Sequence, residues 1–205
     1  MNDLIISKKE LILDAAIKIF ARHGYYGSRV SDITEEAGIA YGLVYRYFRS
    51  KDDVLISIFQ DRWNRYLKKI EQINRDLSDP KEKLRSIIQY IFRSYRQNPD
   101  MMKVLIMDVP RLDKFYEQDS QGLYNRVFEK IATIVKQGQD KGIFNKEISP
   151  ILGAYMLHGA VDAIIRQYVY NPNELKKRKI SIRNARDHII DFLVQGFSIT
   201  SESKD

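Results

Sequence analysis

Residues 24–51 read GYYGSRVSDITEEAGIAYGLVYRYFRSK. In the first half Val30, Ile33 and Ala37 recur at helical spacing, and Ser28 stands where an N-cap is expected. Gly38 ends that segment, at a position where only glycine takes a positive φ without strain. A second helix starts at Ala40 or Tyr41, with Ile39 and Val44 placed to pin it to the first. It carries Tyr41, Tyr45, Arg46 and Tyr47 with almost no apolar filler. Two helices joined by a short glycine-containing turn make a helix-turn-helix. A helix this short, with so many phosphate- and base-capable side chains, suits a DNA major groove better than a protein core.

Helical periodicity continues on both sides, and no segment keeps a period of two. Ser7 and Glu10 form a capping box ahead of a stripe of Leu11, Ile12, Ala15, Ala16, Ile19 and Phe20, which Gly24 stops. Ser50 caps a long helix with Asp52 and Asp53 in its first turn, and its apolar stripe runs from Val54 to Ile70. Pro80 restarts the chain in a helix that ends before Pro99. A shorter apolar segment, 101–108, is broken at Pro110. Further helices are expected from about Phe115 to Lys141, from Pro150 to Tyr170 and from Ser181 to about Phe197, with a frayed SESKD tail. The expectation is an all-α chain of nine helices in two domains, a head over residues 1–51 and a body over 52–205.

Composition narrows the classes. The 205 residues, 44% apolar and 30% charged, have the balance of a soluble globular protein. A net charge of +7 favours a polyanionic partner only mildly. The absence of cysteine excludes disulfides, thiolate metal sites and a cysteine nucleophile. The start, MNDLIISKKE, lacks a signal-peptide pattern, and the most apolar stretch, 151–169, is interrupted by His158, Asp162 and Arg166. These features predict a cytoplasmic protein with no membrane partner. His23, His158 and His188 make no HxxxH or HExxH pair, so no metal site is expected. Asp108 and Asp113 flank Pro110 and share no helical face, and no strand precedes a glycine-rich loop, so no catalytic constellation is expected either.

In the head, Gly42 lets the backbone approach a base or phosphate closely, Tyr45 and Tyr47 offer hydroxyls, and Arg46 offers a charged fork. Lys51 adds a cation at the next helix start, and Arg29 lies at the start of the preceding helix. Singly, each tyrosine suits packing and each cation a solvated surface; the combination behind a glycine turn is what points to DNA.

Residues 8 to about 67 resemble the TetR family of bacterial one-component transcriptional regulators. The resemblance rests on Ala15-Ala16, Phe20, Gly24-Tyr25, Asp32-Ile33, Glu36-Ala37-Gly38, Gly42, Tyr45, Tyr47-Phe48, Ser50-Lys51 and Leu55. It implies a homodimer whose heads enter successive major grooves of a palindromic operator, usually to repress. It also implies that Tyr45 and Lys51 grip phosphates while Tyr41, Gly42 and Arg46 lie nearest the bases. Ser28, Arg29, Ala40 and Tyr47 complete the expected DNA surface. Ala40 and Arg29 depart from the serine or threonine and the threonine common in the family. The alternatives are an activator, or a helical small-molecule-binding protein that does not use DNA.

Beyond residue 67 the resemblance weakens. The helix over 150–170 carries small residues, Gly153, Ala154, Gly159, Ala160 and Ala163, and the last helix carries Ile182, Ala185, Ile189, Phe192, Leu193 and Phe197. Paired across a two-fold axis they imply the four-helix dimer interface of the resembling regulators, with packing inside one subunit as the alternative. The central helices supply pocket candidates in Phe92, Tyr95, Met102, Met107, Tyr124, Phe128, Met156 and His158, with Met101, Leu105, Phe115 and Tyr116 beside them. Singly each reads as core; together they suit a lipophilic effector. The segments MMKVLIMD, DKGIF and LHGAVDAIIRQYV are similar to the fatty-acid-responsive repressors of the family, which implies long-chain acyl-CoA as that effector. The run Lys176 to Lys179 reads as a solvated loop or a second anion contact.

Overall fold

The computed structural model describes residues 7–111 and 118–198. Among these are ten α-helices, one turn of 3-10 helix over Val109–Arg111, and no strand beyond an isolated bridge between Phe144 and Ser198. One helix more than the nine expected is present, because Pro172–Lys177 forms α9 where a loop was anticipated. Phe115, Tyr116, the expected start of the seventh helix and the tail 201–205 lie outside the described residues.

The chain divides into two compact units, Met1–Arg62 with Asn98–Gly122, and Trp63–Gln97 with Leu123–Asp205. The cut therefore differs from the one expected after Lys51. The helix α4 (Lys51–Asp76) contributes to both units, and α6 (Pro99–Met107) joins the first because it packs on α1 (Lys8–His23).

The first unit is built from its caps inward. Ser7 Oγ accepts from the Glu10 N–H at 3.2 Å while the Glu10 carboxylate accepts from the Ser7 N–H at 3.1 Å, closing the expected capping box on α1. The inward stripe of α1 buries Ile12, Ala16 and Phe20 completely. Against it lies α2 (Val30–Ala37), whose Ile33 is fully buried. Gly38 takes the left-handed conformation at φ 63°, which satisfies the end of α2 and turns the chain into α3 (Tyr41–Tyr45). Ser28 is not the cap of α2. Arg29 holds that position, its N–H donating to Asp32 Oδ2 at 2.8 Å, while the buried Ser28 hydroxyl donates to the Gly24 carbonyl at 2.6 Å.

In the second unit, α5 (Pro80–Gln97), α8 (Pro150–Tyr170) and α10 (Ile182–Phe197) pack mutually. The core includes Leu84, Ile88 and Ile165, and with them Val127 and Ile131 of α7 (Gln118–Asp140). Ser181 caps α10 as expected, accepting from the Asn184 N–H at 3.1 Å. A Cβ on Gly138 would lie 2.0 Å from the Phe144 ring, so that glycine makes the room in which the ring packs. The Gln139 amide donates to the Asn145 and Ile148 carbonyls at 2.8 and 2.7 Å, which closes the turn after α7.

Candidate nucleic-acid interface and ligand site

The helix-turn-helix presents one polar surface. Arg29, Ala40, Tyr41, Gly42, Tyr45, Arg46 and Tyr47 are all exposed. The Tyr41 and Tyr45 hydroxyls are 3.0 Å apart, one turn along α3, and this bond raises the Tyr45 pKa and keeps its phenol neutral. Arg29 and Arg46 make no ion pair among the described residues, so their guanidinium groups are free for an anion. Val44 and Phe48 are buried beneath this surface and hold α3 on the head.

Two expected DNA residues are placed otherwise. The Ser28 hydroxyl is spent inside the fold. The Lys51 ammonium donates to the Tyr25 and Ser28 carbonyls, both at 2.7 Å, and sits 4.3 Å from the Tyr25 ring centroid. Burial lowers its pKa, against the opposing pull of Asp52 and Asp32. Lys51 is thus a tie between α4 and the turn that precedes α2.

Tyr25, part of the family signature but given no role from the sequence, is the centre of this arrangement. Its hydroxyl donates to Asp52 at the start of α4, and its N–H donates to Asp108 at the end of α6, at 3.3 Å. Burial first, and then Asp52, raise its pKa, so it remains a donor. Lys103 of α6 donates to the Ala21 carbonyl at 2.5 Å near the end of α1. The Tyr25 ring also meets Phe20 of α1 edge-on at 5.4 Å, so helices α1, α4 and α6 of the first unit all contact this residue.

The second unit holds an aromatic cluster. His158 of α8 lies 5.6 Å from the Trp63 ring, 5.1 Å from Phe128 and 6.4 Å from Tyr66. Tyr124 stacks obliquely on Trp63 at 4.9 Å and on Phe128 at 4.7 Å. Tyr66 and Tyr90 are parallel at 5.8 Å. Burial lowers the His158 pKa, with Asp162 opposing, so the imidazole is neutral near pH 7. The Tyr66 hydroxyl is buried with no hydrogen-bond partner among the described residues. An unpaired buried hydroxyl is uncommon in a packed core and is a feature of a polar ligand contact.

Of the expected pocket residues, Tyr124, Phe128 and His158 come together here. Tyr95 pairs instead with Tyr168 at 6.1 Å, and Phe92 is buried under a different groove. Met156 points outward, 58% exposed, and Met102 and Met107 belong to the first unit. Trp63 and Tyr66 belong to the apolar stripe expected over Val54 to Ile70, and Tyr90 carries no signal of its own in the sequence, since periodicity marks a buried face and not what that face touches.

The expected dimer residues also divide. Leu193 and Phe197 are buried within the chain, Phe197 against Gly153 and 6.0 Å from Phe144. Ile189 is half-buried, Gly159 and Ala163 are exposed, and Phe192 is 75% exposed. With Leu152 and Met156 they leave an apolar face open on α8 and α10. No described helix is long and apolar enough to cross a membrane, and no group of three or more potential metal ligands occurs among the described residues.

Residues 12–58 match the model of bacterial regulatory proteins of the tetR family, and residues 59–196 match that of the YsiA-like protein C-terminal region. The fatty acid metabolism regulator protein of Bacillus subtilis (strain 168) is 25% identical over 185 residues, covering 90% of this chain and 93% of that one. The fatty acid degradation regulator FadR from Bacillus halodurans is 27% identical with a TM-score of 0.79, covering 91% of this chain and 94% of that one. The fold is shared with FadR from Bacillus subtilis in complex with stearoyl-CoA, at a TM-score of 0.81 and 24% identity over 92% of this chain and 99% of that one. Those matches run through the exposed helix-turn-helix and the body behind it, and they make this chain a member of the TetR family of DNA-binding transcriptional regulators.

Proposed function

We propose that the protein is a homodimeric repressor that leaves a palindromic operator when a long-chain acyl-CoA occupies its second unit. The observation that carries this reading is the full-length likeness to fatty acid regulators, which extends over 59–196, where the resemblance seen in the sequence is weakest. The aromatic cluster supports a lipophilic ligand with a polar end: apolar rings for a chain, and the Tyr66 hydroxyl and neutral His158 for a carbonyl.

On this reading Tyr41, Gly42 and Arg46 lie nearest the bases, while Arg29, Tyr45 and Tyr47 grip phosphates. Lys51 acts by holding the turn. The open face of α8 and α10 meets its own copy, with Phe192, Met156, Gly159 and Ala163 crossing the two-fold axis. Because α4 carries Lys51 at one end and Trp63 and Tyr66 further along, ligand packing against those rings shifts the recognition helices from the ~34 Å spacing of successive major grooves. The ligand biases that equilibrium only by its differential affinity for the two states, typically ~1–3 kcal/mol.

Selection of bound sequences from random duplex DNA supplies the operator and is expected to return a palindrome with half-sites about one turn apart. Stearoyl-CoA then releases that operator in a fluorescence-anisotropy titration, and free CoA does not. Retention of the operator at saturating stearoyl-CoA contradicts the ligand assignment; recovery of no motif contradicts the operator assignment.

A further inference from the structure

A groove lies on the surface of the second unit, between α5 and α10. Arg93 and Arg96 are three residues apart on α5, and Arg183 and Arg186 are three apart on α10, so each pair shares a helical face. All four line one groove of about 230 Å³, together with Phe92, Ile182 and Gln89. Arg186 is held by Asp187 at 2.7 Å. Arg93, Arg96 and Arg183 have no carboxylate or other hydrogen-bond partner among the described residues. Like charges one turn apart destabilise a helix, so two such pairs facing each other with Asp187 as the one acid paired to them among the described residues are unfavourable unless an anion joins them.

We propose that this groove binds the phosphate groups of a small ligand. Planar guanidinium forks match phosphate oxygens bidentately, which four lysines would not do. The volume is below the ~300–1,000 Å³ of pockets that enclose a whole drug-sized ligand, and it suits one phosphate or pyrophosphate group of a larger molecule. A neighbouring groove of about 230 Å³ shares Gln89 and Arg93 and is lined also by Lys69 and Tyr90, with Asp76 on its edge beside Arg75. Tyr90 is the ring parallel to Tyr66, so the basic surface continues to the border of the aromatic cluster. The choice of coenzyme A as ligand rests on the acyl-CoA reading above: its phosphates take the arginines and its acyl end takes the rings. The groove itself stands on the arginines alone.

The test uses the full chain, with R96Q/R183Q as the variant and R178Q as a control that loses an exposed charge paired with Glu174. Titration calorimetry with free CoA and with inorganic pyrophosphate, against sulfate at equal ionic strength, reads the site directly. Wild type and R178Q are expected to bind both phosphate compounds in preference to sulfate, with R96Q/R183Q weaker by roughly tenfold or more. The variant keeps its helical circular dichroism and its operator affinity, and needs a correspondingly higher stearoyl-CoA concentration for release. Binding of pyrophosphate with no operator release by stearoyl-CoA upholds the groove and sinks the acyl-CoA reading. Equal binding by variant and wild type, or sulfate binding as well as pyrophosphate, overturns the groove. So does a tenfold loss by the variant on non-operator duplex DNA, which would make the surface a nucleic-acid contact.

Discussion

Replacing Lys51 by methionine separates a phosphate contact from a structural tie. The change keeps most of the stem and removes an ammonium that donates to two carbonyls at 2.7 Å. Hydrogen bonds to a charged group contribute ~1.5–3 kcal/mol each, so two would amount to ~3–6 kcal/mol. Water reaches the partly buried carbonyls once the ammonium is gone, and burying that ammonium itself has a cost, visible in its lowered pKa. The net loss is therefore placed at about 2–3 kcal/mol, the ring contact with Tyr25 included. For a chain of this size that corresponds to a fall of roughly 4–12 °C in melting temperature. Operator affinity falls as well, because the turn before α2 loosens, but the slope of log affinity against log salt stays unchanged. A lysine that only grips phosphate behaves in the opposite way: Lys51→Met would then leave the melting temperature alone and reduce the salt slope by ~0.9. Thermal unfolding together with a salt series of anisotropy titrations distinguishes the two, and an unaltered melting temperature refutes the structural argument.

Tyr66→Phe removes a buried hydroxyl that has no partner among the described residues, and is expected to stabilise the protein without added ligand by about 1–2 kcal/mol, read as a rise in melting temperature, while raising the stearoyl-CoA concentration needed for release. A lower melting temperature would mean that the hydroxyl is already satisfied. His158 has a folded pKa below its unfolded value because burial disfavours its charged form, so the unfolded chain takes up the proton first on acidification. Its stabilising contribution is complete above the unfolded value near 6.5 and is lost as pH falls from there toward the folded pKa. Denaturant midpoints of wild type should thus drop between about pH 7 and pH 5.5 more than those of His158→Gln; parallel curves would remove His158 from the account. Phe192→Asp alters a side chain 75% exposed in the single chain, so folding should survive. By symmetry it removes two buried phenyl groups from the proposed dimer, roughly 3–6 kcal/mol, and sedimentation is expected to show monomers that no longer hold the operator. A dimer of undiminished affinity would move the interface elsewhere.

What the sequence determined by itself is what acts within a turn or two of helix. The capping box of Ser7 and Glu10, the Ser181 cap, the glycine at 38 and the exposed face of α3 follow from contacts three to five residues apart, and such contacts are legible in order along the chain. Helical class and the helix-turn-helix were therefore readable before any coordinate. Tertiary structure decided which partner a versatile side chain takes. Ser28 has the right spacing for a cap, but packing of the Gly24–Ser28 turn brings its hydroxyl to a carbonyl first. Lys51 stands where a phosphate grip is expected, yet Tyr25, twenty-six residues earlier, offers a carbonyl and a ring within reach. Met156 and His158 are two positions apart on one helix, and the 100° step per residue sends the first outward and the second among the rings. The assignment of α6 to the head and the meeting of four arginines on α5 and α10 depend on pairs of elements separated by some eighty residues or more, and local periodicity carries no information about such pairs.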